Sequence, residues 1–197
     1  MTLINDGAGK GYIAQVSANQ RLAVDGVQIT GEDDAIRRGE GWQIASTPVS
    51  FTGATQSAIL YVKNNGSLDL VLDRAVLILG TATGAAAGAD WTFQTLRNPT
   101  AGTIVDNAVA AGVSNSNHGS SITPDADTYK GVEGDTLTDG SGAALPIQQD
   151  QNRTVFPLGR RLPTGSSIGW RLTPPASTTS ATAVLVAHFY YDTSGLS

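Results

Sequence analysis

The sequence predicts an all-β protein, a jelly-roll-like antiparallel β-sandwich with an N-terminal arm. Strand-length apolar segments recur along the chain, Gly, Pro and Asn turn signals separate them, and residues 57–80 place two apolar runs on either side of Asn64-Asn65-Gly66-Ser67. Asn-Gly is a strong hairpin signal because a type I′ turn requires positive φ at both central residues. We therefore expect a hairpin in which Tyr61 faces Leu70.

The first part of the chain differs in composition from the rest. Residues 1–45 are polar and punctuated by glycine, which indicates an arm or edge element. Within it, residues 20–29 predict two short strands, and residues 32–40 predict one helical turn ended by glycines. Residues 46–197 are expected to form a single sandwich domain, a usual size for such folds.

The remaining elements follow from apolar alternation and turn residues. Asp73-Arg74 interrupts the alternation of its strand and predicts a bulge. The apolar run 181–191 predicts a central strand. The expected strands are 46–51, 68–79, 91–97, one beginning at 103–105, short strands around Ile122, Tyr129 and Leu137, then 154–158, 167–172 and 181–191.

Composition excludes several function classes. The net charge is −5 and the basic residues are scattered, so the clustered positive footprint of a nucleic-acid-binding protein is missing. The sequence contains no cysteine, no signal-peptide pattern and no apolar run of membrane-spanning length, so we expect no membrane partner and synthesis in a cytoplasm. Charged residues make up only 15% of the chain, which favours a surface that other proteins can cover at a small desolvation cost.

No catalytic motif passes its context test, so we expect no enzyme activity and no cofactor. Gly165-Ser166-Ser167-Ile168-Gly169 matches the serine-hydrolase pattern in letters, but strand and proline residues follow it where a helix is required. His118 and His188 lack any zinc-ligand spacing, and the strand position of His188 indicates a core or sheet-edge imidazole.

An acidic region and the tryptophans are the remaining candidates. Carboxylates within 125–139 offer the oxygen ligands that Ca²⁺ prefers, but their spacing does not match an EF-hand, and a solvated loop or turn caps are the favoured explanation. The candidate ligands are Asp125, Asp127, Glu133 and Asp135. Trp91 and Trp170 alternate within strands and are expected in the core. Trp42 follows Gly39 and Gly41 and is expected to be exposed, either as a sugar-stacking aromatic or as an anchor in a subunit interface.

Several phrases, taken together, resemble small jelly-roll structural proteins of tailed bacteriophages over roughly residues 50–191. These phrases are Ser57-Ala58-Ile59-Leu60-Tyr61-Val62-Lys63-Asn64-Asn65, Arg97-Asn98-Pro99-Thr100 with Gly102-Thr103, Tyr129-Lys130-Gly131-Val132-Glu133-Gly134-Asp135-Thr136, and Pro163-Thr164-Gly165-Ser166-Ser167-Ile168-Gly169 followed by Thr173-Pro174-Pro175.

The resemblance implies a capsid decoration, or cement, protein that bridges and stabilises capsid subunits on the outside of the virion. The implied partners are the major capsid protein and other copies of this chain in a dimer or trimer. We expect the contacts at Arg37, Arg38 and Trp42, or alternatively along residues 114–142. Two alternatives stay open: a tail, baseplate or head-fibre component, and a carbohydrate- or receptor-binding virion module.

Overall fold

The structure, a computed structural model, describes residues 3–5, 13–15, 30–86, 88–148 and 153–193. The chain divides into two compact units, residues 1–30 and residues 31–197. In the first unit, β1 (Leu3–Asn5) pairs antiparallel with β2 (Ile13–Gln15). The predicted strands within residues 20–29 lie outside the described residues.

The second unit contains two helices and eleven further strands within the described residues. In chain order these are α1 (Gly31–Arg38), β3 (Gly41–Ala45), β4 (Val49–Phe51), β5 (Ser57–Asn64), β6 (Leu70–Leu79), β7 (Asp90–Arg97), α2 (Thr103–Asp106), β8 (Gly112–Asn115), β9 (Ala126–Lys130), β10 (Ser141–Gln148), β11 (Arg153–Leu162), β12 (Ser167–Thr173) and β13 (Ala181–Tyr191). Because α1 and β3 belong to this unit, the predicted boundary at residues 45/46 lies inside it, and the compact unit begins at Gly31.

The described strands of this second unit form two antiparallel sheets. One has the order β10-β7-β12-β5-β9, and the other has the order β11-β6-β13-β3-β8, with β4 continuing the line of β3 along β13. If β8 and β9 are set aside as an insertion, eight strands remain, with β3 and β4 counted as the first. Counted along the chain, the first strand pairs with the eighth (β3 with β13) and the second with the seventh (β5 with β12). The third pairs with the sixth (β6 with β11) and the fourth with the fifth (β7 with β10). This nested pairing is the double Greek key of a jelly roll, which confirms the predicted fold class.

The core lies between the two sheets. The inward side chains of both sheets form one buried cluster, in which Trp91 and Trp170 are 0% exposed, as predicted. Phe51 packs edge-on against Trp91 with ring centroids 5.7 Å apart. Large aromatic side chains of this kind supply much of the apolar area that a two-sheet sandwich buries.

The predicted hairpin over residues 57–80 is wrong. β5 and β6 lie in different sheets, and Tyr61 pairs with Gly169 and Tyr129 instead of Leu70. The Asn64 side chain is fully buried; its amide donates to the carbonyls of Leu68 and Leu162, both at 2.8 Å, and its oxygen accepts from the Gly66 N–H at 3.0 Å. Since β5 and β6 are apolar on both faces, each is more stable inside a sheet than in an isolated ribbon, and the Asn-Gly segment forms a corner between sheets.

Some of the other local predictions are confirmed and others are wrong. The bulge is confirmed, because Arg74 pairs with His188 and Leu72 with Phe189, which leaves Asp73 as the extra residue. The predicted helix ends at Gly39, whose φ of +78° suits a glycine after the last turn. The predicted strand at 103–105 is wrong, since these residues form α2. Of the short strands predicted around Ile122, Tyr129 and Leu137, the one at Tyr129 is present as β9, and Ile122 and Leu137 lie outside any strand.

Candidate interaction surface

The predicted contact residues occupy different environments. Trp42 is only 1% exposed and its indole N–H donates to the carbonyl of Ile122 at 2.9 Å, so the prediction of an exposed Trp42 is wrong. The ring packs in the core edge-on to Tyr191, at 5.2 Å between centroids, because β3 is an inner strand of its sheet. Arg37 and Arg38 are exposed on α1, and Arg38 is paired with Asp34 and Glu40.

The four acidic candidates do not converge on one point. The Glu133 carboxylate accepts hydrogen bonds from the N–H groups of Thr52 and Gly53 and from the Thr52 hydroxyl, at 2.8–3.0 Å. Burial raises the pKa of Glu133, but these hydrogen bonds outweigh it and leave the pKa below its ordinary value.

The other acidic side chains have separate tasks. Asp135 accepts from the Thr103 hydroxyl and the Val132 N–H, both at 2.8 Å, which caps a turn. Asp127 lies on β9 beside Tyr129, whose pKa is raised by burial and then by Asp127, and Asp125 is exposed. Within the described residues no group of three or more His, Cys, Asp or Glu side chains is arranged to hold a metal ion. Glu133 and Asp135 therefore act as loop and turn caps, which is the favoured interpretation of the acidic region.

His188 lies on the outer face of the β11-β6-β13-β3-β8 sheet. Its Nδ1 lies 3.3 Å from the Arg74 guanidinium, which also donates to Glu32 of α1 at 2.9 Å. Burial lowers the pKa of His188, and the neighbouring Arg74 charge lowers it further. This contact fixes α1 over one end of the outer face.

The other end of the outer face is apolar and uncovered by α1. Val155, Val76, Val186 and Ala45 form one row across four neighbouring strands, since each pairs with the next. In the adjacent row Ile78 pairs with Val184. Val155 is 48% exposed and Ile78 is 43% exposed, Val184 and Val186 are half-buried, and Val76 between them is 7% exposed. A contiguous apolar patch on the outside of a sheet is typical of a protein-contact surface.

The two lateral edges of the sandwich also differ. At one edge, residues 109–111 pair with β9 of one sheet, and β8 follows directly and pairs with β3 of the other sheet. At the opposite edge β10 and β11 are the last strands of their sheets, and a cleft opens between them. We call these the closed edge and the open edge.

Comparisons with known proteins do not assign this chain to a family. No protein-family model matches the chain, and no curated protein matches it. Among solved structures, the chain is similar to the infectious bursal disease virus Gx strain structure, with 14% identity and a TM-score of 0.26 over 78% of this chain and 37% of that one. It is also similar to the VP2 subviral particle of that virus, with 11% identity and a TM-score of 0.20 over 77% and 41% of the two chains. The chain thus spans about two fifths of those chains, and the fold assignment rests on its own strand order.

Neither helix among the described residues is long and apolar enough to cross a membrane.

Proposed function

We propose that this protein is a structural component of a tailed-bacteriophage virion, bound to the capsid surface as a decoration protein that bridges and stabilises capsid subunits. The observation that carries the proposal is the apolar row on the outer face of the sheet that contains β11, β6, β13 and β3. The jelly-roll topology and the sequence phrases that resemble phage virion proteins support it.

The outer face has the chemistry that a repeated protein contact requires. It offers aliphatic side chains on a rigid sheet, and the nearest charges, Arg153 and the Arg74–Glu32 pair, lie at its margins. Burying this patch leaves few charges to desolvate, and a standard interface of about 800 Å² per partner needs such an apolar centre with a polar rim. Repetition over a lattice raises the avidity of a modest contact. The partners in this proposal are the major capsid protein and further copies of this chain in a dimer or trimer.

The test is co-sedimentation of the purified protein with expanded shells of the source phage that lack it. We expect saturable binding at a fixed copy number per shell. Val155→Asp should lower the affinity by about tenfold or more, because it places a charge at the most exposed member of the apolar row.

The matched control is Val109→Asp, which introduces the same charge at a valine that is 52% exposed and lies beside β9, away from the outer face. It should bind shells like the unmodified protein. No binding to intact shells would contradict a decoration role and point to the tail, baseplate or head fibre instead. Equal losses from the two variants would show that the outer face is not the contact.

A further inference from the structure

The inner faces of the two sheets separate at the open edge. Ile147 and Leu145 lie on the same face of β10, two residues apart. Ile147 is 4% exposed within the core, whereas Leu145 is 48% exposed. Because a strand's alternate residues share one face, this contrast means that the space between the sheets is filled at Ile147 and unfilled at Leu145.

The unfilled space is a cleft of two adjacent parts. One part, about 300 Å³, has an apolar floor in which the Phe93 and Phe156 rings stack at 4.8 Å, with Leu145 and Leu158 beside them. The second part, about 460 Å³, is lined by basic and polar residues together with Leu162, Pro163 and Ile168. Arg97 and Arg160 line both parts.

Both arginines occupy strand positions that face the space between the sheets, and both are exposed to solvent at the mouth of the cleft. On β7, Phe93, Thr95 and Arg97 alternate along one face, and Phe93 belongs to the core. Arg160 belongs to β11, on the facing sheet, and lines the same cleft. Within the part of the chain that the structure describes, neither guanidinium forms an ion pair, although Arg161 beside them is paired with Asp192 and Asp69. No carboxylate lines either part of the cleft among the described residues.

Two unpaired guanidiniums around one cleft are a strong charge feature in a chain whose net charge is −5. Like charges held near each other repel, and an arginine fork binds a carboxylate with two parallel hydrogen bonds. The apolar floor adjoining them accepts an aliphatic or aromatic side chain. The cleft is therefore complementary to a segment that carries an acidic and an apolar side chain close together.

The edge strands themselves restrict how such a segment binds. β10 contains Pro146, and β11 contains Pro157 followed by a bulge at which Gly159 has a φ of +51°. Proline and bulges prevent a continuous backbone ladder on an edge strand. The occupant therefore binds mainly through its side chains.

We propose that the cleft at the open edge is a docking site for an extended acidic segment of a partner protein, with its carboxylates on Arg97 and Arg160 and its apolar side chains on Phe93 and Phe156. This site is separate from the outer-face contact proposed above, and it stands if that contact fails.

The test is calorimetric titration of the full-length protein with a capped hexapeptide of alternating glutamate and leucine, at low salt. The matched probe is the same peptide with glutamine in place of glutamate. We expect saturable binding of the glutamate peptide and binding of the glutamine peptide that is weaker by about tenfold or more.

Variants locate the binding. The double substitution Arg97→Gln and Arg160→Gln should lower the affinity for the glutamate peptide by about tenfold or more. Arg153→Gln, a charge removal on the same strand but outside the cleft, should leave it unchanged. Ala143→Trp keeps both arginines and fills the apolar part, and it should also weaken binding. Thermal melts check that each variant is folded.

Four results of the titrations would overturn the proposal. They are no saturable binding of the glutamate peptide, an equal loss in Arg153→Gln, inorganic phosphate alone binding as tightly as the peptide, and unchanged peptide binding in Ala143→Trp. Self-association in the ultracentrifuge that disappears in the arginine double variant would assign the cleft to a second copy of this chain, and that result too would overturn it.

Discussion

The closed and open edges of the sandwich show two ways in which a jelly roll can end. At the closed edge, the insertion between β7 and β10 passes from one sheet to the other. Ala111 donates to Thr128 at 2.9 Å and lies in the core, and Gly112 begins the strand that extends the other sheet. At the open edge no described segment joins β10 and β11 across the cleft, and arginines occupy positions where a core would continue. The closed edge is built for stability, and the open edge leaves surface for another molecule.

The largest effect is expected at the closed edge, from Trp42→Ala. This substitution empties a fully packed position and removes the bond to the Ile122 carbonyl, so the free energy of unfolding should fall by about 3–5 kcal/mol. Trp42→Phe keeps most of the ring and should lose roughly 1–2 kcal/mol. Urea unfolding of both variants measures the difference. A loss under about 1 kcal/mol in Trp42→Ala would mean that this side chain does not anchor the insertion.

An intermediate effect should distinguish the two ends of β10. Ile147→Ala should destabilise the protein by about 2–4 kcal/mol, because Ile147 is buried between the sheets. Leu145→Ala, on the same face of the same strand, should cost under about 1 kcal/mol, because Leu145 is already half exposed. Equal losses in the same urea assay would show that the sheets close over Leu145 in solution and that the cleft is absent.

The smallest effect is expected from acid, at the Glu133 contact beside the closed edge. The pKa of Glu133 is below its ordinary value of 4.5 in the folded protein, so its stabilising contribution is fully present above that value and is lost as the pH falls through the folded pKa. We expect Glu133→Gln to be less stable than the unmodified protein at neutral pH and the two to converge in acid. Thermal melts across this pH range measure it, and a constant gap between the two proteins would show that the carboxylate charge contributes nothing.

The local predictions succeeded where neighbouring residues decide the conformation. The bulge at Asp73, the end of the helix at Gly39 and the buried positions of Trp91 and Trp170 follow from alternation and glycine chemistry, which act over a few residues. The same reasoning mistook residues 103–105 for a strand, because Thr-Ile-Val has strand propensity, yet the Thr136 hydroxyl and carbonyl accept from the N–H groups of Thr103 and Ile104 and fix a helical turn there.

The candidate surfaces were harder to predict from sequence. Trp42 follows Gly39 and Gly41, a pattern that favours an exposed loop, but β3 is an inner strand and the ring is buried. For the cleft, the sequence contains one indication: Arg97 continues the alternating face on which Trp91 and Phe93 lie. This alternation places Arg97 on the core-facing side of its strand. Arg160, the other arginine of the cleft, is 63 residues away in sequence, so the sequence alone does not assign it to the same cleft.

The sequence by itself determined that this chain is an antiparallel β protein with a double-sheet core, because strand period, turn residues and apolar content are local properties. Only the tertiary structure decided which sheet each strand joins. The Asn64-Asn65-Gly66-Ser67 segment is compatible with a hairpin or with a corner between sheets, and the corner prevails because Asn64 bonds to the distant Leu162 carbonyl and both strands are apolar on both faces. Pairing of this kind depends on contacts between residues far apart in the chain, and those contacts also created the two different edges.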